Sequence, residues 1–236
     1  MKNRILILNP DNRQYKPLLR NLGEVTDDSL SFKLNPKDFK LVQFTGGEDV
    51  SPELYGDTSP NNYCMSSNGY RDKQEAEIFN IATNNNIPMV GICRGIQFLN
   101  VMCGGKLIHH LDGHVSNQHK VGTSCSSKVF DSFTTNSLHH QMCVPPMDGD
   151  IINWSIEKQS NKYIGDEDKI INWAGPEVEG LSIPWCKVVG VQWHPELMSS
   201  SSKGRTYYLM LIHDLINFTV SEFRSKHTDK VEVMNV

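Results

Sequence analysis

A cysteine lies between two glycines in the segment Gly91-Ile92-Cys93-Arg94-Gly95, directly after the apolar residues Ile87–Ile92. Helical spacing of apolar residues begins just beyond it, which predicts a sharp turn from a buried strand into a helix. Glycines leave room for such a turn, and the side chain at its apex faces a cleft. The helix N-terminus would favour a thiolate there. The alternative is a small buried cysteine in a glycine-rich turn, because so short a motif also arises by chance.

A thiol nucleophile needs a base, and the base needs a group that orients it. The segment His194-Pro195-Glu196 offers both, and it begins three residues after the end of the apolar segment Trp185–Val191. Residues two apart in an extended chain point to the same side, so Glu196 can hold one ring nitrogen of His194 while the other faces Cys93. The alternatives are a histidine in a surface loop and a solvated carboxylate.

A pair of glycines, Gly46-Gly47, follows another apolar segment, Leu41–Phe44. Three chemically informative segments therefore stand at the ends of expected strands. In an α/β sheet, sites form at the carboxyl ends of the strands. We therefore expect the glycine pair, the cysteine and the histidine to lie together.

The elements that would position these residues alternate between strands and helices, which favours a mostly parallel sheet with helices on both faces. We expect strands at Arg4–Leu8, Leu41–Phe44, Ile87–Ile92, His119–Thr123, Asp150–Ile156, Lys169–Trp173 and Trp185–Val191. We expect helices at Tyr15–Leu22, Arg71–Asn84, after Cys93 and at Arg205–Phe223.

The chain has 236 residues and a net charge of -4, which is typical of one globular domain over residues 1–236, with a loosely held tail from about residue 226. The charge argues against nucleic-acid binding, and no apolar segment is long enough to span a membrane. Six scattered cysteines predict reduced thiols and a cytoplasmic protein without a zinc site or other metal. His109, His110, His114 and His119 are dense enough to suggest a metal site, but their spacing is irregular, and we favour a loop near the cleft.

Three segments together resemble the signatures of class I glutamine amidotransferase domains: Thr45-Gly46-Gly47, Gly91-Ile92-Cys93-Arg94-Gly95-Ile96-Gln97 and Gly190-Val191-Gln192-Trp193-His194-Pro195-Glu196. Further segments resemble one branch, the gamma-glutamyl-GABA hydrolase-like enzymes: Gly46–Gly56, Arg71-Asp72, Glu75, Cys93–Val101, Gly104-Gly105 and Asn136–Gln141. The resemblance covers roughly residues 41 to 220 in order. The segment before Gly46 and the stretch Asn153–Pro184 match poorly, so the part of the substrate that leaves is undefined.

The resemblance implies a flavodoxin-like α/β fold, a nucleophile elbow and a hydrolase without a cofactor. In that family's terms, Cys93 is the nucleophile, His194 the acid and base, and Glu196 its orienting group. The backbone N–H groups of Gly47 and Arg94 would stabilise the oxyanion.

The same resemblance suggests substrate contacts for Gln97, His139, His140 and Gln141. Each has an alternative: Gln97 could tie the elbow helix to a loop, and the other three could be satisfied polar loop residues. The side chain of Arg94 could be a surface or loop-anchoring group. A polar cluster of Asp49, Tyr55, Arg71 and Glu75 is expected to frame the Gly46-Gly47 loop.

Three functions remain open at this point. The first is a stand-alone hydrolase that releases glutamate and an amine from a small gamma-glutamyl amide. The second is a glutaminase subunit that delivers ammonia to a separate synthetase partner. The third is a non-enzymatic binding or regulatory module, or a redox sensor. The sequence defines neither the amine that is released nor whether the protein forms a homo-oligomer.

Overall fold

The computed structural model describes residues 3–8, 14–64 and 69–228. Within these residues it has six α-helices: α1 Tyr15–Leu19, α2 Ser29–Leu34, α3 Tyr70–Asn84, α4 Arg94–Met102, α5 Lys203–Asn217 and α6 Val220–His227. The strands are β1 Arg4–Leu8, β2 Glu24–Thr26, β3 Phe39–Phe44, β4 Met89–Ile92, β5 Lys106–Ile108, β6 His110–Leu111, β7 Val115–Thr123, β8 Ser132–Leu138, β9 Met142–Val144, β10 Asp150–Ser155, β11 Tyr163–Ile164, β12 Ile170–Ile171, β13 Val178–Ile183 and β14 Val188–Val191.

The centre of the molecule is a nine-stranded sheet in the order β2-β1-β3-β4-β14-β13-β10-β7-β8. The first five of these strands run parallel, and the remaining four continue the sheet in antiparallel fashion. Two small sheets, β12-β11-β6 and β5-β9, lie beside it. The predicted α/β architecture is confirmed.

Alternate residues of the central strands pack into two separate cores, as the two-residue period of a strand requires. On β1, Leu6 and Leu8 join the core that contains residues of α2, α3 and α4, whereas Ile5 and Ile7 join the core that contains residues of α1, α5 and α6. Helices therefore cover both faces of the sheet, as predicted.

The helix expected at Arg205–Phe223 is wrong, because the chain forms two helices there. Helix α5 ends at Asn217, and Thr219 caps α6 in a reciprocal capping box with Glu222. Such a box satisfies the first N–H groups of a new helix, so it fixes a new start within an apolar pattern that is otherwise continuous.

Other elements are shorter than expected. The last expected strand begins at Val188 and not at Trp185, because Pro184 opens a 3-10 helix, Pro184–Cys186. Lys226 and His227, at the expected start of a loose tail, form the last turn of α6, and residues 229–236 lie outside the described residues. All six cysteines are free of disulfides. Among the described residues, no helix is long and apolar enough to span a membrane.

Candidate active site

Cys93 stands at the apex of a tight turn between β4 and α4. Its backbone has φ 52° and ψ -116°, a conformation that residues other than glycine rarely adopt. Both flanking glycines are required by space: a Cβ on Gly91 would collide with the backbone N of Ile96, and one on Gly95 with the carbonyl O of Phe44. The strained turn therefore has the form of a nucleophile elbow.

His194 follows β14, the strand that pairs in parallel with β4. Because Val191 and Ile92 are register partners, the chain leaves both strands at the same edge of the sheet, and His194 lies beside Cys93. A Cβ built on Gly46 would lie 3.0 Å from Cε1 of His194 and 3.5 Å from Cβ of Cys93, so both side chains face the same loop. Nδ1 of His194 lies 2.7 Å from Oε1 of the buried Glu196. The structure thus brings together the three side chains that the sequence singles out.

The charge state of His194 follows from these neighbours. Burial disfavours the imidazolium, but the hydrogen bonds and negative charges of Cys93 and Glu196 outweigh burial and raise the pKa of His194 to about 10. The ring is therefore cationic at neutral pH and can act as a proton donor.

Two further residues support the site, one at His194 and one at Gly46. The sequence predicts neither role. The amide of Asn136, on β8, contacts both backbone polar atoms of His194. The hydroxyl of Tyr15, on α1, accepts a hydrogen bond of 3.0 Å from the N–H of Gly46. Burial, followed by the nearby charges of Glu196 and Cys93, raises the pKa of Tyr15, so its hydroxyl stays protonated. Tyr15 lies outside the motif segments and Asn136 begins the segment Asn136–Gln141, but each contacts a residue distant along the chain, so only the fold reveals its role.

Arg71 holds the Gly46-Gly47 loop through the loop's carbonyl oxygens. The guanidinium donates to the carbonyl oxygens of Gly46 at 3.0 Å and Thr45 at 2.9 Å, and its Nε pairs with Glu75 at 2.8 Å. Gly47 has φ 141°, and a Cβ there would collide with the Arg71 guanidinium. The predicted framing role is confirmed for Arg71 and Glu75.

The other two members of the expected polar cluster have different neighbours. Asp49 lies 3.1 Å from Nε2 of His140, and the Tyr55 hydroxyl lies 3.9 Å from the Cys64 sulfur. The Arg94 side chain is not on the surface: it is buried and forms ion pairs with Asp72 and Glu75 of α3. It therefore anchors the first turn of α4 to α3.

Three of the four expected substrate contacts are buried and have protein partners instead. Gln97 donates to the carbonyl of Gln141 at 3.1 Å, so it ties α4 to a loop. His139 contacts the same carbonyl at 2.9 Å, and the Gln141 amide contacts the sulfur of Cys64 at 3.1 Å. His140 alone of the four is partly exposed.

The clustered histidines also differ from the expected cleft loop. His109 is buried beside Asp57, and His110 contacts the ring of His140. Among the described residues, His114, His119 and Glu179 are all buried, and each offers a ligand atom within 4.8 Å of the others. The fold therefore creates a set of metal-type ligands that the spacing along the chain hides.

Solved structures share this architecture. The structure of PurLQS from Thermotoga maritima matches with a TM-score of 0.60, 16% identity, and coverage of 91% of this chain and 100% of that one. A glutamine amidotransferase from Thermotoga maritima matches with a TM-score of 0.54, 16% identity, and coverage of 95% and 91%. At this identity the likeness establishes the fold alone.

Curated relatives are closer in sequence. Protein NtpR of Enterococcus hirae is 29% identical over 188 residues, covering 78% of this chain and 74% of NtpR. The glutamine amidotransferase-like protein YvdE of Lactococcus lactis is 30% identical over 172 residues, covering 66% and 65%, so the chain spans just under two thirds of YvdE. The gamma-glutamyl-gamma-aminobutyrate hydrolase of Shigella flexneri is 27% identical over 192 residues, covering 75% and 71%.

The family match includes every segment that carries the candidate site except Tyr15. Residues 37–196 match Peptidase C26, from the strand before Gly46 to Glu196. The resemblance expected from the motifs is thereby confirmed. This chain belongs to the Peptidase C26 family and has the class I glutamine amidotransferase-like fold.

Proposed function

We propose that this protein is a cysteine hydrolase that cleaves the gamma-glutamyl amide bond of a small conjugate and releases glutamate and an amine. One observation carries the proposal: the strained Cys93 lies beside a His194 that Glu196 holds at 2.7 Å. A nucleophile, a base and an orienting carboxylate in this order form the arrangement that acyl transfer requires.

The first half of the reaction forms a thioester. The Cys93 sulfur attacks the gamma-carbonyl carbon, and the carbonyl electrons move onto the oxygen. The backbone N–H groups of Gly47 and of Arg94, the first residue of α4, stabilise this oxyanion, each contributing about 3 kcal/mol. The His194 imidazolium gives its proton to the departing nitrogen, the C–N bond breaks, and a glutamyl thioester remains.

The second half restores the enzyme. His194, now neutral, takes a proton from a water molecule whose oxygen attacks the thioester carbon. The C–S bond breaks, the thiolate reforms beside the imidazolium, and glutamate leaves. Glu196 keeps the ring oriented and stabilises its charge in both halves.

The part of the substrate that is released as an amine would contact the rim of the active-site cleft. The loop that begins with Gly46-Gly47 leads to residues 57–61, where the backbone N–H of Thr58 and the hydroxyl of Ser59 bond to Asp166 and Asp168. These aspartates belong to the stretch Asn153–Pro184, in which the sequence carries none of the segments that resemble the hydrolase branch. We place amine selection at this rim, with the partly exposed pair His140 and Asp49 nearby.

A substrate panel tests the proposal. Glutamine and the gamma-glutamyl conjugates of diamines, amino acids and amidated nucleotides would each be incubated with purified protein, and glutamate release would be measured. We expect release from at least one bulky conjugate by the isolated protein and none by the Cys93→Ala variant. Activity on glutamine that appears only after a synthetase partner is added would favour the glutaminase subunit. No release from any conjugate would overturn the hydrolase.

A further inference from the structure

A buried cluster of histidines surrounds Glu179. Oε1 of Glu179 lies 2.9 Å from Nε2 of His119, 3.2 Å from Nδ1 of His114 and 3.5 Å from Nε2 of His139. All four side chains are at least nine-tenths buried. They come from β7, β13, the turn before β7 and the loop after β8, so the fold and not the chain brings them together.

The hydrogen bonds of this cluster are unevenly distributed. Three ring nitrogens converge on one oxygen of Glu179, while its second oxygen, Oε2, has no hydrogen-bond partner. Nε2 of His139 also lacks a partner of good geometry, although it is buried and directed at Glu179. Buried polar atoms are normally satisfied, so this arrangement calls for a cation among the ligand atoms.

The spacing fits a metal ion. Zinc binds histidine nitrogen and carboxylate oxygen at about 2.0–2.2 Å, which places the ligand atoms of a tetrahedral site about 3.3 Å apart. The observed separations from Glu179 Oε1, 2.9 to 3.5 Å, bracket that value. Histidine and carboxylate are also a ligand set that zinc accepts.

Outer contacts orient two of the rings. The other ring nitrogen of His114, Nε2, lies 3.1 Å from Oε2 of Glu177, and that of His139, Nδ1, lies 2.9 Å from the carbonyl of Gln141. Metal-bound histidines characteristically direct their second nitrogen at a carboxylate or a backbone carbonyl. Nδ1 of His119 has no such partner.

Glu177 is itself firmly held. It accepts hydrogen bonds from the backbone N–H groups of Gln159 and Ser160 and from the hydroxyl of Tyr163. Glu177 and Glu179 thus place two carboxylates in the same buried region, and a divalent cation would balance both charges.

We propose that His114, His119 and Glu179 bind a divalent cation of the Zn²⁺ type, with Nε2 of His139 adjoining as the fourth ligand. The ion would be structural, since it would join β7 and β13 to the segments that flank β7 and β8. Nδ1 of His139 lies 3.0 Å from the amide of Gln192, two residues before His194, so the ion would also steady the strand end that carries the candidate base.

The test uses the full chain, purified without a histidine tag, and measures metal content by mass spectrometry and Co²⁺ binding by visible absorption. We expect about one equivalent of divalent metal per chain. After chelation and reloading, we expect a tetrahedral Co²⁺ spectrum without thiolate charge transfer. Chelation should also lower the melting temperature.

Variants separate this site from other metal-binding groups. Glu179→Gln should lose binding, and the outer-contact variant Glu177→Gln should weaken Co²⁺ binding about 10- to 100-fold. Cys93→Ala and His213→Gln, which changes an exposed histidine, should bind as the wild type does. If Glu179→Gln does not fold, the wild type and Glu177→Gln decide the matter. A wild type that neither contains metal nor takes up Co²⁺, or a thiolate-type spectrum, would overturn the proposal and leave protons to satisfy the cluster.

Discussion

The side-chain amide of Asn136 forms hydrogen bonds with both the N–H and the carbonyl group of the His194 backbone. The N–H of His194 donates to Asn136 Oδ1 at 2.8 Å, and Asn136 Nδ2 donates to the carbonyl oxygen of His194 at 3.1 Å. His194 stands between β14 and a short 3-10 helix, Pro195–Leu197, where no ladder of strand hydrogen bonds holds it. Asn136 therefore fixes the position of the imidazole relative to Cys93.

Replacing Asn136 by alanine removes both hydrogen bonds and releases this backbone. We expect kcat/KM to fall about 100-fold, because a displacement of about 1 Å in a catalytic group has an effect of that size. Steady-state kinetics measures the loss. Thr134→Ala, on the exposed side of the same strand, should leave kcat/KM unchanged. Equal activities of Asn136→Ala and Thr134→Ala would refute the positioning role.

The pH profile tests the interaction of Glu196 with His194. The neighbouring charges raise the pKa of His194 to about 10, so the imidazolium persists below that pH and is lost as the pH rises through it. We expect the alkaline limb of kcat/KM near pH 10. In Glu196→Gln one of those charges is gone, and the limb should move to lower pH while partial activity remains. Glu24→Gln, an exposed control, should not move it. A limb that is unchanged in Glu196→Gln would contradict the account.

Removing the hydroxyl of Tyr15 tests the support of the Gly46-Gly47 loop. Tyr15→Phe deprives the N–H of Gly46 of its acceptor. A hydrogen bond of this kind contributes about 1 kcal/mol, so we expect kcat to fall five- to ten-fold, about the effect of that free energy. Tyr207→Phe, which removes the hydroxyl of another buried tyrosine, on α5, is the matched control. Similar kinetics for the two variants would remove Tyr15 from the site.

The attachment of α6 depends on Asp214, a buried carboxylate of α5 that pairs with Lys226 and His227. Asp214→Asn should lower the free energy of unfolding by about 3 kcal/mol, because it removes the charged partner of the buried His227. Denaturant unfolding measures this, with the exposed Asp148→Asn as the control.

The same aspartate predicts how that stability varies with pH. Burial opposes ionisation, but His227, Lys226 and His213 lower the pKa of Asp214 to about 2, below its unfolded value of about 3.9. The advantage of the wild type over Asp214→Asn should therefore be complete above about pH 4 and diminish as the pH falls through about 2. An advantage that persists undiminished at the lowest pH would contradict this pairing.

The sequence reveals a site residue where one short segment contains both the reactive side chain and the residues that fix its backbone. Cys93 needs glycines on both sides, and His194 and Glu196 directly follow a buried strand, so all three are visible in short segments. That β4 and β14 are neighbours is set by long-range sheet pairing, which one chain does not reveal. The roles of Tyr15 and Asn136 are hidden in the sequence for the same reason, since each contacts a residue distant along the chain.

Burial accounts for the remaining differences. Gln97, His139 and Gln141 are polar residues within motif-like segments, and such a pattern does not distinguish a cleft from an interior hydrogen-bond network. Thr219 and Glu222 form the capping box that marks the break between α5 and α6. The apolar spacing on either side of the break nevertheless resembles one continuous helix.

The thioester on Cys93 is the central claim, and rapid acid quenching followed by intact-mass spectrometry tests it most directly. During turnover of a gamma-glutamyl amide, the wild type should gain the mass of one glutamyl group, and peptide mapping should locate it on Cys93. Cys143→Ala, which alters another buried cysteine, should show the same gain, and Cys93→Ala should show none. A wild type that turns over substrate without the adduct, or an adduct that persists in Cys93→Ala, would contradict the account.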